Sequence, residues 1–389
     1  MNILMTSETF LPRMGGAEIH VANLARLLRE RGHGVTLVTN EPRASSECED
    51  MHGTVCISIP WHRSRILYLV RVLWKHAARA DVLHAHYSYR MAALVGIIGK
   101  IRRVPVIVTL HGLGTLDEAG ARFPYTYVHA LYRLLSLRLA TRIISTSEDL
   151  ARVAARYCDY RKITIIPNGY DDHRFYPNHL VNASMRSIYE GRLIVLTVRR
   201  LVPKNGIHYL IEAMPYLIAK HPNVLCLCIG EGRMRSYLES RMSELGITDS
   251  VVLLGEVDNA LVPTYIALAN VVVFPSTAES VSIACAEAMG SGVPIVASRV
   301  GGLIELLGAH EERGRLVTLV DWTESNYDAP LTLPHDRYRM LANAVSDALE
   351  NPNDQRVAAA LRYAKQELAW RGIVRKIESM YTSVAHTTS

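Results

Sequence analysis

The opening run Asn2-Ile3-Leu4-Met5-Thr6 is short and apolar, and residues 17–31 then repeat apolar side chains at helical spacing up to Gly32. Next comes Gly34-Val35-Thr36-Leu37-Val38-Thr39, again short and β-branched. A strand, a helix closed by a glycine C-cap and a second strand make one βαβ unit. The same alternation continues outward, with further strands predicted at 54–59, 82–85, 106–110, 142–145 and 163–166. After a polar stretch of weak periodicity at 170–190, read as a linker, a second series runs through 192–198, 223–229, 251–254, 271–274 and 294–297. Strands separated by helical segments pack as parallel sheets covered on both faces, so the fold class is α/β with two Rossmann-like doubly wound domains. The expected limits are 1–178 for the N-terminal domain and 179–369 for the C-terminal one. Residues 370–389 are expected to form a helix that crosses back to the first domain, with Trp370 at the crossing.

Length and composition agree with two separate cores. A chain of 389 residues is about twice the usual domain size. No stretch reaches the ~20 apolar residues of a membrane span, and the N-terminus lacks the basic and apolar regions of a signal peptide, so a cytoplasmic location is expected. Cys48, Cys56, Cys158, Cys226, Cys228 and Cys285 show no disulfide framework and are read as reduced thiols. Cys226 and Cys228 share one strand face, where packing is favoured over metal binding. The formal charge of +6 is uneven: residues 1–178 hold 23 Lys/Arg against 15 Asp/Glu, and residues 51–142 hold 13 against 3. Such a basic segment attracts an anionic surface or substrate. Without a helix-turn-helix, RNP or zinc-finger pattern beside it, nucleic acid is not expected as a partner.

Ligands of doubly wound sheets bind beyond the carboxyl ends of strands, and four signals fall there. Met14-Gly15-Gly16-Ala17-Glu18 joins the first strand to the first helix, where two glycines let backbone N–H groups approach an anion. An ordinary tight turn reads the same way. His111-Gly112 follows the strand at 106–110, and His84 and His86 occupy a similar strand end. Each histidine is open to a packing role as well as a catalytic one. Arg199-Arg200-Leu201-Val202-Pro203-Lys204-Asn205-Gly206 concentrates positive charge at the head of a strand, as a departing diphosphate requires, though a solvated basic loop has the same composition. Last, the strand at 271–274 runs into Pro275-Ser276-Thr277-Ala278-Glu279, with Glu287 eight residues further on inside an apolar helix of small residues. A carboxylate accepts two hydroxyl hydrogen bonds at once, which suits a vicinal diol of a ribose or hexose. The free N–H groups of Ser280, Val281, Ser282 and Ile283 suit a phosphate.

These residues resemble a known family. The pair Glu279 and Glu287, followed by Met289-Gly290-Ser291-Gly292-Val293-Pro294 and Gly301-Gly302, closely resembles the glycosyl transferases group 1 signature of glycosyltransferase family 4. Met14-Gly15-Gly16, His111-Gly112, Ile166-Pro167-Asn168-Gly169 and Arg200-Leu201-Val202 match in the same order, so the resemblance spans nearly the whole chain. It implies a GT-B fold, two Rossmann-like domains facing across a cleft. It also implies a nucleotide-sugar donor, expected to be a UDP-sugar, and transfer of a hexose or N-acetylhexosamine with retention and no required metal or cofactor. Carried over by position, Glu287 binds the ribose hydroxyls and Glu279 the transferred sugar. Arg200 and the adjacent lysine neutralise the diphosphate, Gly15 and Gly16 close over it, His111 contacts the sugar, and Val257 covers the base. His111, Glu279 and Arg200 are thereby the catalytic candidates. Two departures stand out: Asn205 occupies the family's lysine position with Lys204 before it, and Ser280-Val281-Ser282 replaces a glycine-rich loop.

The hydroxyl acceptor is expected on the basic N-terminal domain. Residues 64–79 form a predicted helix in which Arg71, Lys75 and Arg79 recur every four residues beside Ile66, Leu69, Val70, Leu73 and Trp74. Such a helix suits peripheral contact with a membrane face and a lipid-linked or polysaccharide-precursor acceptor, or equally an ordinary packed helix with a basic edge. A small soluble acceptor such as a natural-product aglycone, a non-hydrolysing UDP-sugar epimerase and a non-catalytic binding subunit are the alternatives.

Overall fold

In the computed structural model the chain forms two compact units, Met1–Gly169 with Trp370–Ser389, and Tyr170–Ala369. The structure describes residues 1–11, 15–40, 42, 47–49, 54–60, 62, 65–112, 125–280, 282–320, 329–352 and 355–386.

The first unit is built on β1 (Asn2–Ser7), β2 (Gly34–Thr39), β3 (Glu47–Glu49), β4 (Val55–Ser58), β5 (Val82–His86), β6 (Val106–Leu110), β7 (Arg142–Ser145) and β8 (Ile163–Ile165), in the order β3-β4-β2-β1-β5-β6-β7-β8. Only β3 runs antiparallel to its neighbour. β1 pairs with β2 on one side and β5 on the other, so the chain reverses its direction of travel across the sheet at β1, the place where doubly wound sheets hold ligands. Strict alternation decides what each strand residue touches. Ile3, Met5, Leu37 and Ile107 pack on the side of α1 (Gly16–Glu30). Leu4, Val38, Leu83 and Val108 pack under α2 (Ile66–Ala77), α3 (Arg90–Arg102), α4 (Tyr125–Leu139) and α5 (Glu148–Ala154). Burial on both faces is why these strands read as nearly continuous apolar runs.

The second unit repeats the plan with α6 (Ala183–Ile188), β9 (Leu193–Val198), α7 (Ile207–Lys220), β10 (Val224–Ile229), α8 (Arg235–Glu244), β11 (Val251–Gly255), α9 (Val262–Leu268), β12 (Val271–Phe274), α10 (Ile283–Ser291), β13 (Ile295–Ser298), α11 (Gly301–Leu307), β14 (Arg315–Val317), α12 (His335–Glu350) and α13 (Gln355–Tyr363). Its sheet is wholly parallel, ordered β11-β10-β9-β12-β13-β14. The switch point lies between β9 and β12, so the loops after Val198 and Phe274, both singled out in the sequence, are spatial neighbours. Val195, Val271 and Val296 face α7, α8 and α12, while Leu196, Val272 and Ala297 face the layer of α9, α10, α11 and α13.

The chain ends in α14 (Trp370–His386), which belongs to the first unit. Trp370, Ile373, Val374, Ile377, Tyr381 and Val384 form one buried stripe on the α1 side of the sheet. Glu378 bonds Arg31 at 2.5 Å and His33 at 2.8 Å.

The division between the units falls at Gly169 and Tyr170, nine residues before the expected 178, because Tyr170 and Phe175 are buried in the second core. Gly290 makes room there: a Cβ on it would lie 2.1 Å from Tyr170 Cε2. The stretch read as a linker also contains α6, and β3 and β14 were not anticipated, since Glu47-Cys48-Glu49 and Arg315-Leu316-Val317 lack the β-branched run that marked the equally short β8. Among the described residues no helix is long and apolar enough to cross a membrane.

Candidate active site

The first unit places four imidazoles together. β5 presents His84 and His86 on one face, β6 ends just before His111, and α1 supplies His20. His84 is fully engaged, with Nδ1 2.6 Å from the Tyr381 hydroxyl and Nε2 2.7 Å from Thr109 Oγ1. His86 Nδ1 lies 2.9 Å from His111 Nε2, with the rings stacked at 5.2 Å. His20 meets His111 edge-on at 4.8 Å and Trp370 at 5.0 Å. Burial pulls His20 down to about 4 and His84 to about 3, and holds His86 and His111 well below the ordinary imidazole range. All four are therefore neutral at pH 7. In the His86–His111 bond one neutral ring donates and the other accepts, which fixes the orientation of His111. Among the described residues His20, His86 and His111 are the group able to hold a metal, with candidate ligand atoms within 4.8 Å of one another. A tetrahedral ion with metal–nitrogen bonds of about 2.0–2.1 Å would require these nitrogens closer together. Gly15 caps α1 in an extended conformation and Gly16 begins the helix, exposed, while buried Glu18 accepts a hydrogen bond from Thr9 at 2.5 Å.

In the second unit the loops after β9 and β12 are tied together. Thr277 donates its N–H at 2.8 Å and its hydroxyl at 3.2 Å to the Lys204 carbonyl. Gly206, at φ +69°, has no room for a side chain, because a Cβ would lie 1.8 Å from the Pro275 carbonyl oxygen. Gly230 and Gly232 let β10's end pack on the arginine loop: added Cβ atoms would lie 2.1 Å from the Arg199 oxygen and 2.3 Å from the Leu201 oxygen.

Arg199, rather than its neighbour Arg200, takes Glu279. Both terminal guanidinium nitrogens of Arg199 bond Glu279 Oε2, Nη1 at 2.6 Å, and the arginine side chain is only 6% exposed. Arg200 is exposed, and its carbonyl accepts from Asn205 Nδ2 at 2.8 Å. Asn205 is thus buried and committed to holding the loop, whereas the Lys204 ammonium is held below the ordinary lysine range, first by burial and then by Arg200 and Arg199. Successive residues leaving a strand point to opposite sides, so the two arginines of the doublet diverge and only Arg199 meets Glu279.

Ser282 caps α10, its hydroxyl accepting from Cys285 N at 3.2 Å. This leaves the first N–H groups of the helix, from Ile283 onward, directed at the same strand end. Glu287 sits in the second turn, partly buried, its carboxyl pushed up to about 7 by burial, with Asp171 adding to the rise and Arg174 opposing it. Arg174 and Asp171 were not anticipated, since they come from the stretch read as a linker; Arg174 is itself anchored on the Asn259 carbonyl. Val257 is partly buried against the apolar layer that includes Val262 and Ile266. Val281 lies outside the described residues.

Comparison with known proteins agrees with this geometry. Residues 14–174 match the model described as Glycosyltransferase Family 4 and residues 184–328 the model described as Glycosyl transferases group 1. A glycosyltransferase of Methanocaldococcus jannaschii, MJ1607, is 30% identical over 335 residues, covering 81% of this chain and 84% of that one. The GDP-mannose-dependent alpha-(1-6)-phosphatidylinositol monomannoside mannosyltransferase of Mycolicibacterium smegmatis is 27% identical over 94% of this chain and 93% of its own. Among solved structures, Anabaena Alr3699/HepE in complex with UDP superposes with a TM-score of 0.80 over 98% of this chain and 100% of that one, at 22% identity. The two Rossmann-like units are those of a GT-B glycosyltransferase. The chain belongs to glycosyltransferase family 4, glycosyl transferases group 1, and uses a nucleotide-sugar donor. The epimerase alternative falls away with that assignment.

Proposed function

We propose that this protein moves a hexose or N-acetylhexosamine from a UDP-sugar to a hydroxyl of a lipid-linked or polysaccharide-precursor acceptor, with retention of configuration and without a metal ion. The observation that carries the reading is the gathering of Arg199, Arg200 and Lys204 at the ends of β9 and β12, where Glu279 pairs with Arg199 alone and Lys204 is held below the ordinary lysine range first by burial and then by Arg200 and Arg199. A site with this excess of positive charge is prepared for an anion, and the departing nucleoside diphosphate supplies one. Lys204 and Arg200 neutralise its oxygens, together with the N–H groups at the start of α10.

Glu279, bonded through one oxygen to Arg199, keeps its other oxygen for the hydroxyls of the transferred sugar. Glu287, with its carboxyl near 7, both donates and accepts at neutral pH, which matches the two hydroxyls of a ribose. Gly16 supports the approach of the diphosphate, Val257 covers the base, and His111, oriented by His86, contacts the sugar. The acceptor oxygen forms its bond to the anomeric carbon on the face from which the phosphate leaves, and the acceptor's proton passes to the departing phosphate oxygen. The lipid acceptor is supported by the basic first unit and by the name of the mycobacterial relative.

Thermal unfolding with a panel of nucleotide sugars, comparing wild type with Glu287→Ala, tests the donor half. A ligand at a hundredfold over its dissociation constant adds about 2.7 kcal/mol. Stabilisation of the wild type alone by a UDP-sugar is the expected result; a response to GDP-mannose alone moves the donor to the nucleotide in the mycobacterial relative's name. Silence with every nucleotide ends the donor-site assignment.

A further inference from the structure

The helices α2, α3 and α4 cover one face of the first unit's sheet, and their outer surface is unlike the rest of the protein. Seventeen large apolar residues are exposed among the described residues, and eight of them lie on these three helices. Leu67 is 80% exposed, Tyr127 70%, Ile101 62% and Leu131 52%, with Tyr68 and Trp74 beside them. These are not strays from a poorly formed core, because each helix buries a separate set of residues: Leu69, Leu73 and Ala77 on α2, Met91, Val95 and Ile98 on α3, and Arg133, Ser136 and Leu137 on α4. The surface is continuous from helix to helix. The Arg102 guanidinium of α3 lies 3.9 Å over the Trp74 ring of α2, and α3 packs along α4 so closely that a Cβ on Gly96 would meet Leu139 at 3.0 Å.

The charge on this face has one sign. The three helices carry seven Lys/Arg and no Asp or Glu; Arg133 is buried and Arg90 is paired with Glu8, which leaves five for the outer face. Arg71, Lys75, Lys100 and Arg138 are exposed among the apolar residues, on stems long enough to lie along an apolar surface while the charged head reaches polar groups. A soluble monomer seldom exposes apolar side chains in such a concentration. Aromatic, leucine and isoleucine side chains mixed with cations, and without anions, are the composition of a surface that rests at the headgroup level of an anionic bilayer. A partner protein of ordinary surface would bring carboxylates and amines together, and its amines would meet only like charge here.

We infer that the α2–α3–α4 face docks the first unit on an anionic lipid bilayer. The helices lie on the membrane and do not enter its core, since none is long and apolar enough to cross. This deepens the lipid-acceptor reading by naming the surface that brings the enzyme to its substrate, yet vesicle binding is measured without any transfer.

The test is co-sedimentation of the full chain with vesicles of phosphatidylcholine alone and of phosphatidylcholine with phosphatidylglycerol, at low and high salt. The wild type is expected on the mixed vesicles, with binding weakened at least tenfold by high salt or by omitting phosphatidylglycerol. Leu67→Ser, Ile101→Ser and Leu131→Ser combined should weaken it at least tenfold, as should Arg71→Glu with Lys100→Glu. Both variants change exposed side chains only and should keep the wild-type melting temperature and its nucleotide response. Equal binding to neutral vesicles, no binding to either kind, or a stable dimer that these substitutions dissociate would each overturn the proposal. Vesicle binding without glycosylation of any lipid would leave the docking face standing and remove the lipid-acceptor reading.

Discussion

Beyond β5 and β6 the first unit gathers His84, His86 and His111 with His20 from α1, all kept neutral by burial. Beyond β9 and β12 the second unit gathers Arg199, Arg200 and Lys204 around Glu279 and the start of α10. Both sets stand at or beside the switch point of a doubly wound, largely parallel sheet, so the backbone has given the two units the same kind of place. The side chains make the places electrostatically different, one neutral and one positively charged. Neutral imidazoles can exchange hydrogen bonds with hydroxyls at little cost, whereas Arg200 and Lys204, beside the Arg199–Glu279 pair, leave an excess of positive charge for an anion. In each unit the scaffold decides where a ligand can bind, and the charge at the strand end decides which kind of group it favours.

The largest effect should come from the cation end. Lys204→Ala is expected to lower kcat/KM by about 10²–10³, the usual cost of one group that meets developing charge. The same change should leave the unliganded melting temperature level or slightly higher, because Lys204 sits among like charges. A variant that lost stability while keeping its kcat/KM would show that Lys204 is a structural residue and would break the comparison.

Acid should divide the two ends. His20 and His84 have folded values near 4 and 3 against an ordinary 6.5, so the unfolded chain takes up their protons first. Their contribution is present above pH 6.5 and is lost as pH falls, by about 2 kcal/mol each at pH 5. Glu287 behaves oppositely: its raised carboxyl costs little below pH 4.5 and progressively more as pH rises through about 7. Glu287→Gln should therefore be about 2–3 kcal/mol more stable than wild type at pH 8, with the gap under about 1 kcal/mol at pH 5. Because His208 in α7 is also pulled to about 4 by burial, the contrast is drawn with this variant and not with the second unit as a whole. Hydrogen exchange resolved to α1 and to α10 reads the two ends separately, and a gap that stayed constant with pH would remove the assigned shift.

The smallest expected effect concerns Asn205. Its amide holds the Arg200 carbonyl, so Asn205→Ala should cost about 1 kcal/mol of stability and weaken donor binding only through the loosened loop. A loss of catalysis as large as that of Lys204→Ala would reverse the roles of the two neighbours.

Much of this architecture was legible in the chain because the strands are buried on both faces. A run such as Val106-Ile107-Val108-Thr109-Leu110 is unambiguous, and the bounds of β2, β6, β7 and β12 agree with the reading of the sequence to the residue. The order of glycines, glutamates and basic residues also announced the family and the strand ends that carry the site. These features are local: they depend on backbone preference, on period and on spacing within a few residues.

What the chain alone left open depends on residues far apart in sequence. That Arg199 and not Arg200 meets Glu279, 80 residues away, follows from how the loops after β9 and β12 pack together. That Tyr170 and Phe175 belong to the second core follows from the space left at Gly290. The positive charge after β9 could be read from the chain, but the neutrality of the four histidines and the raised carboxyl of Glu287 could not, because a histidine, glutamate or lysine has no fixed state until burial and neighbours set the cost of its charge. Periodicity and motif order determined the elements, the family and the candidate positions; only tertiary packing, which removes water and chooses partners, decided which of those groups are charged and what each one faces.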